Sequence, residues 1–126
     1  MKKEIIATTK APGAIGPYSQ AVKVGNMVFT SGQLPINPET GEHYTDCIKK
    51  ATRQCLENAI AILEEAGSSL ENIVKTTIFI KDLNNFNDVN EVYSEFFKEN
   101  APARSCIEAA RLPKDTIIEI EAIAIV

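Results

Sequence analysis

The segment Thr116–Val126 is apolar on both of its sides. At the two-residue period of a pleated strand, Ile118, Ile120, Ala122, Ala124 and Val126 point one way, and Ile117, Ile123 and Ile125 the other. Glu119 and Glu121 share that second side. Such a strand needs cover above and below its sheet, because leaving either row in water exposes a contiguous apolar patch.

The rest of the chain supplies cover for one side only. Gly25-Asn26 is a turn signal between Tyr18–Val24 and Met27–Ser31, which predicts a hairpin. Leu34–Thr45, punctuated by Pro35, Pro38 and Gly41, reads as the longest loop, with His43 on its surface. Asp46 suits the N-cap of a helix that runs to about Ala66 and is stopped by Gly67. Ile48, Ala51, Cys55, Ala59, Ile62 and Ala66 recur at three and four residues and form its buried stripe. Ile73–Ile80 reads as a β-branched strand, with Val74, Ile78 and Ile80 on one side and Ile73, Thr77 and Phe79 on the other. A second helix is predicted from Phe86 to Lys98, capped by Asn84 or Asn85 and burying Phe86, Val89, Tyr93, Phe96 and Phe97. Strands at Ala103–Ala109 and Thr116–Val126 complete the order.

Strands, helix, strand, helix, strands specify an α+β layer in which two helices cover one face of a mixed sheet. The length of 126 residues bounds this to a single domain, residues 1–126. Two helices cannot cover both faces. A second subunit is the simplest cover for the other one, so an oligomer is expected, of a number that the pattern does not give.

Chemistry enters at Pro102-Ala103-Arg104-Ser105-Cys106. Ala103, Ser105, Ile107 and Ala109 alternate there with Arg104, Cys106 and Glu108, which places a cation in the middle of a strand. Arginine stays charged and presents a planar fork of donors, so at such a place it pairs with a buried acid or receives an anionic ligand. The structural alternative is the commoner one, since strand arginines usually serve as ion-pair partners or lie on the surface. Glu119 and Glu121 are the acids that could neutralise Arg104 across a pairing of the last two strands, and a slip of one residue between those two strands would move them to the opposite face.

Several function classes lack their residues. The formal net charge is −4, and the basic residues cluster only at Lys2-Lys3 and Lys49-Lys50-Arg53, which argues against nucleic acid as a partner. Cys47, Cys55 and Cys106 have no metal-ligand spacing, and His43 stands alone, so neither a metal nor another cofactor is expected. No histidine is placed to activate a serine or cysteine, and no glycine loop is spaced to cradle phosphate. There is no membrane-length apolar run, and free thiols suit a reducing compartment, so the protein is expected in the cytoplasm. One arginine, some hydroxyls and amides, and two strand carboxylates remain. Such a kit suits hydrolysis of a small, already electrophilic anion.

Five stretches stand in the order of one known family. Ala14-Ile15-Gly16-Pro17-Tyr18-Ser19-Gln20-Ala21, Thr30-Ser31-Gly32-Gln33, Val74-Lys75-Thr76-Thr77, Val89-Asn90-Glu91-Val92-Tyr93 and Ile118-Glu119-Ile120-Glu121, together with Pro102 through Leu112, resemble the RidA (YjgF) family of imine deaminases. The resemblance implies a chorismate-mutase-like fold and a homotrimer with three equivalent clefts between neighbouring subunits. It implies hydrolysis of reactive 2-imino acids released by PLP enzymes, such as 2-iminopropanoate and 2-iminobutanoate, to 2-keto acids and ammonia. In that reading Arg104 binds the substrate carboxylate and Glu119 is the general base. Tyr18 and the backbone around Ser31-Gly32 and Cys106 line the pocket, and Asn90 supports it. A blander role stands beside each: Tyr18 capping the sheet, Asn90 bonded to its own helix, and Cys106 serving as a wall. The competing function is a regulatory protein that binds 2-keto acids or related small acids in the same cleft without turnover. Ala51 departs from the glutamine that many relatives carry there, which bears on subunit packing more than on the reaction.

Overall fold

The doubly apolar segment is an interior strand. In this computed structural model, which describes residues 1–126, the order is β1 (Lys3–Ile6), β2 (Ala21–Val24), β3 (Met27–Thr30), α1 (Ile48–Glu65), β4 (Ile73–Ile80), α2 (Phe86–Phe96), β5 (Ala103–Glu108) and β6 (Ile118–Ile125). The strands form one six-stranded mixed sheet in the order β1-β2-β3-β6-β4-β5, in which only β4 and β5 run parallel. Both helices lie on one face, so the α+β architecture is the expected one.

That face carries the core. Ile78, Ile80, Ile118 and Ile120 are fully buried beneath α1 and α2, where they meet Cys55, Leu56, Val89 and Tyr93. A second cluster joins Val28, Ala122 and Ala124 to Ile62 and Leu63 of α1. Burying each large side chain contributes about 1.5–3 kcal/mol, so these rows hold the helices on the sheet. Ala51 is wholly buried within this packing. The opposite face has no helix, and Phe29, Ile107 and Ile125 remain 43%, 52% and 39% exposed on it.

The hairpin forms where Gly25-Asn26 predicts it, with Val24 opposite Met27 and Gly25 at φ +59°. Pairing starts only at Ala21, however. Tyr18 precedes the strand in a turn closed by its own N–H on Gly16 O at 2.9 Å. α1 ends as expected: Gly67 has φ +86°, and the N–H groups of Gly67 and Ser68 return to Glu64 O and Leu63 O in a Schellman arrangement. Its N-cap is Cys47, in extended conformation and without a side-chain cap, so Asp46 stands one residue too early to serve. α2 stops two residues short of Lys98, and its buried residues are Val89, Val92 and Tyr93; Phe86, Phe96 and Phe97 are half-buried.

Three further expectations are corrected. A β-bulge between Ile73 and Lys75 reverses the alternation at the start of β4, which buries Ile73 with Ile78 and Ile80 and leaves Val74 40% exposed. His43 is half-buried and shares a 2.9 Å hydrogen bond with Thr116 Oγ1, which ties the long loop to the approach to β6. The last two strands, finally, are not neighbours, because β4 lies between β5 and β6.

Candidate active site

The position of β4 decides where the charged residues point. Arg104 pairs with Thr76, which pairs with Ala122, so all three share the helix-covered face. Glu119 pairs with Phe79, and Glu121 with Thr77, on the open face. Arg104 and the glutamates of one chain therefore lie on opposite sides of the sheet and cannot form the internal ion pair that the sequence left open.

Glu119 belongs to a cleft of about 610 Å³ that also includes Tyr18, Ser31, Gly32, Leu34 and Ile36. Its carboxylate rests against the backbone of Gly32, where an added Cβ would collide with it. That contact explains the glycine by close approach, since Gly32 does not have positive φ. Burial raises the Glu119 carboxyl above the ordinary glutamate range, and the nearby Glu121 carboxylate pushes it further up. Ser31 uses its hydroxyl to donate to Ser19 O at 2.6 Å, and its N–H donates to Gln20 O. It shapes the cleft wall through its backbone. Tyr18 is 52% exposed and lines the cleft, and its hydroxyl accepts from Ile15 N at 3.3 Å.

Asn90, Arg104 and Cys106 form a second group at the β5 edge. Arg104 Nη1 donates to Asn90 Oδ1 at 2.7 Å, and the guanidinium carbon lies 5.3 Å from the centre of the Phe86 ring and 4.9 Å from that of Tyr93. Phe86, Asn90 and Tyr93 follow one another along a single side of α2, which thus builds a bed for the cation. Thr76 Oγ1 and the Tyr93 hydroxyl share a 2.7 Å hydrogen bond that fixes the ring. None of the three ion pairs of the chain includes Arg104, so most of its fork is uncommitted. Cys106 is half-buried two residues further on; burial raises its thiol, while the Arg104 charge opposes that shift. A thiol held protonated in this way is a poor nucleophile.

The residues expected at the site thus fall into two groups. Tyr18, Ser31, Gly32 and Glu119 converge on the cleft, and Asn90, Arg104 and Cys106 converge at the sheet edge. The sequence reading missed the Phe86 and Tyr93 bed and the Leu34 and Ile36 wall. The first had a signal, since residues 86, 90 and 93 recur at helical spacing; the second lies in a loop that has no period.

The sequence profile described as Endoribonuclease L-PSP matches residues 8–126. The chain belongs to this family, also called RidA or YjgF. A RutC family protein from Pyrococcus abyssi is 60% identical over 124 residues, covering 98% of each chain. A protein from Escherichia coli named 2-iminobutanoate/2-iminopropanoate deaminase is 60% identical over 123 residues, covering 95% of each. The crystal structure of E. coli TdcF with bound serine superimposes with a TM-score of 0.93 at 53% identity, covering 98% of both chains. The chorismate-mutase-like fold expected from the RidA resemblance is the one described above.

Proposed function

We propose that this RidA family member is a deaminase that hydrolyses small 2-imino acids, such as 2-iminopropanoate and 2-iminobutanoate, to 2-keto acids and ammonia. One observation carries the reading: a guanidinium without a carboxylate partner, held by Asn90 and two aromatic rings with most of its donors uncommitted. A planar fork presented in this way fits a carboxylate with two parallel hydrogen bonds. The E. coli deaminase supports the choice of substrate class through its 60% identity.

The two groups of residues meet only if chains associate. We place the working site between subunits of a cytoplasmic homotrimer, with Arg104, Asn90 and Cys106 from one subunit facing Tyr18, Gly32 and Glu119 of the next. The apolar open face, with Phe29, Ile107 and Ile125, supplies the surface that association buries.

The steps follow from the residues. The substrate carboxylate docks on Arg104, which brings C2 of the protonated imine next to a water held by Glu119. Glu119 takes a proton from that water as the C–O bond forms, then returns it to nitrogen. The carbonyl forms as the C–N bond breaks and its electron pair leaves with ammonia, which takes up the hydroxyl proton as ammonium. A base raised by burial ionises nearer to neutral pH, where proton transfer contributes about 10²- to 10⁴-fold.

The bound serine of TdcF favours a second reading, in which the cleft senses small acids without converting them. Ammonia and keto acid released from enzymatically generated 2-iminopropanoate, with wild type and Arg104→Ala, separate the two. Equal rates would sink the deaminase. RNA cleavage that persisted in Arg104→Ala at matched purity would favour the activity in the family's description instead.

A further inference from the structure

The cleft wall opposite solvent is held from behind by α1. Leu34 and Ile36 line the cleft on either side of Pro35, with Pro38 two residues on. Prolines lack an N–H, so this stretch cannot continue as a paired strand and its carbonyls need other donors. Backbone donors meet part of this need, with Ile36 N on Leu34 O at 2.8 Å and Tyr44 N on Pro35 O at 3.0 Å, and one side chain meets the rest. Asn58 Nδ2 donates to Leu34 O at 3.1 Å and to Ile36 O at 2.9 Å. Asn58 Oδ1 accepts from Gln54 Nε2 at 2.8 Å, one helical turn earlier, which fixes which way the amide faces. Asn58 is 1% exposed in the middle of α1, where asparagine is a weak helix former and its polar atoms would be costly without partners. Its amide is committed to holding this loop.

We propose that Asn58, oriented by Gln54, is a positioning residue that sets how closely Leu34 and Ile36 stand to the side chain of the bound acid, and so which side-chain length the cleft accepts. The proposal rests on the reading above that this cleft holds a 2-imino acid. Two substrates of that class that differ by one methylene, 2-iminopropanoate and 2-iminobutanoate, report on the wall directly. Discrimination over one methylene spans roughly 10- to 200-fold in a fitted apolar pocket, and it is lost when the wall recedes.

The test compares wild type, Asn58→Ala and Gln54→Leu, with kcat and KM for both imines, calorimetric Kd for the 2-keto acids 2-oxopropanoate and 2-oxobutanoate, and Tm for each protein. In Asn58→Ala, KM for the longer imine should rise about tenfold and for the shorter about threefold or less, with both kcat values within about twofold of wild type. The Kd values should split in the same way, and Gln54→Leu should show a smaller split in the same direction. A parallel loss for both substrates that follows Tm, or a folded variant with no split, would overturn the proposal. If Asn58→Ala does not fold, Gln54→Leu alone decides by its split. Should wild type convert neither imine yet bind both keto acids, the deaminase reading fails and the calorimetric split still decides the role of Asn58. Binding of neither acid would end both.

Discussion

The Glu119 carboxylate lies against the backbone of Gly32, in space that a β-carbon on residue 32 would occupy. Gly32→Ala should therefore displace the proposed base while leaving the core clusters untouched, since neither includes residue 32. The expected result is a fall in kcat of about 10²-fold, comparable to losing a positioned base, with a small change in Tm. Steady-state rates beside a thermal melt check it; unchanged kcat would mean that Glu119 is not the base.

Arg104 offers a fork and rests on two rings, and Arg104→Lys keeps only the charge. A hydrogen bond to a charged group contributes about 1.5–3 kcal/mol, so losing the second prong should raise KM for a 2-imino acid by about 10- to 100-fold. Asn90→Ala should act in the same direction, because it frees the guanidinium from its 2.7 Å tether. Both are read as KM against kcat.

The raised Glu119 carboxyl gives the rate a pH dependence of definite sign. The base must be ionised, so the acidic limb of kcat should fall at a higher pH than an ordinary glutamate would set. Glu121→Gln should move that limb to lower pH, though only in part, because burial is the larger cause. Stability follows the same proton. The folded chain holds the Glu119 proton more tightly than the unfolded chain does, so stability should decline as pH rises from the ordinary glutamate range through the raised folded value. Glu119→Gln should remove that decline in denaturant titrations across the same window.

Ile107, 52% exposed at the sheet edge, should lie against another subunit. Ile107→Asp is expected to turn the proposed trimer into folded monomers, seen by light scattering with an unchanged circular dichroism spectrum, and to abolish imine hydrolysis. A monomer with full activity would show that one chain completes the site.

Local signals were legible wherever their cause was local. Gly25-Asn26 marks the hairpin through turn chemistry, and the apolar stripe of Ile48 to Ala66 marks α1 through helical period. β1 escaped notice because Lys3, Glu4 and Ile5 are exposed at the sheet edge and show no alternation. The Val74 error came from a bulge, which adds a residue without a mark in the sequence.

Outside the bulge at the start of β4, the sequence by itself determined which side chains share a side of each strand or helix, because that follows from a repeat of two or of 3.6 residues along a single segment. It also indicated, through the two-sided β6, that both faces of the sheet need cover. Only the tertiary structure decided that β4 comes between β5 and β6, which sets Arg104 and Glu119 on opposite faces. Strand order depends on pairing between residues far apart in the chain, and no single segment carries that information.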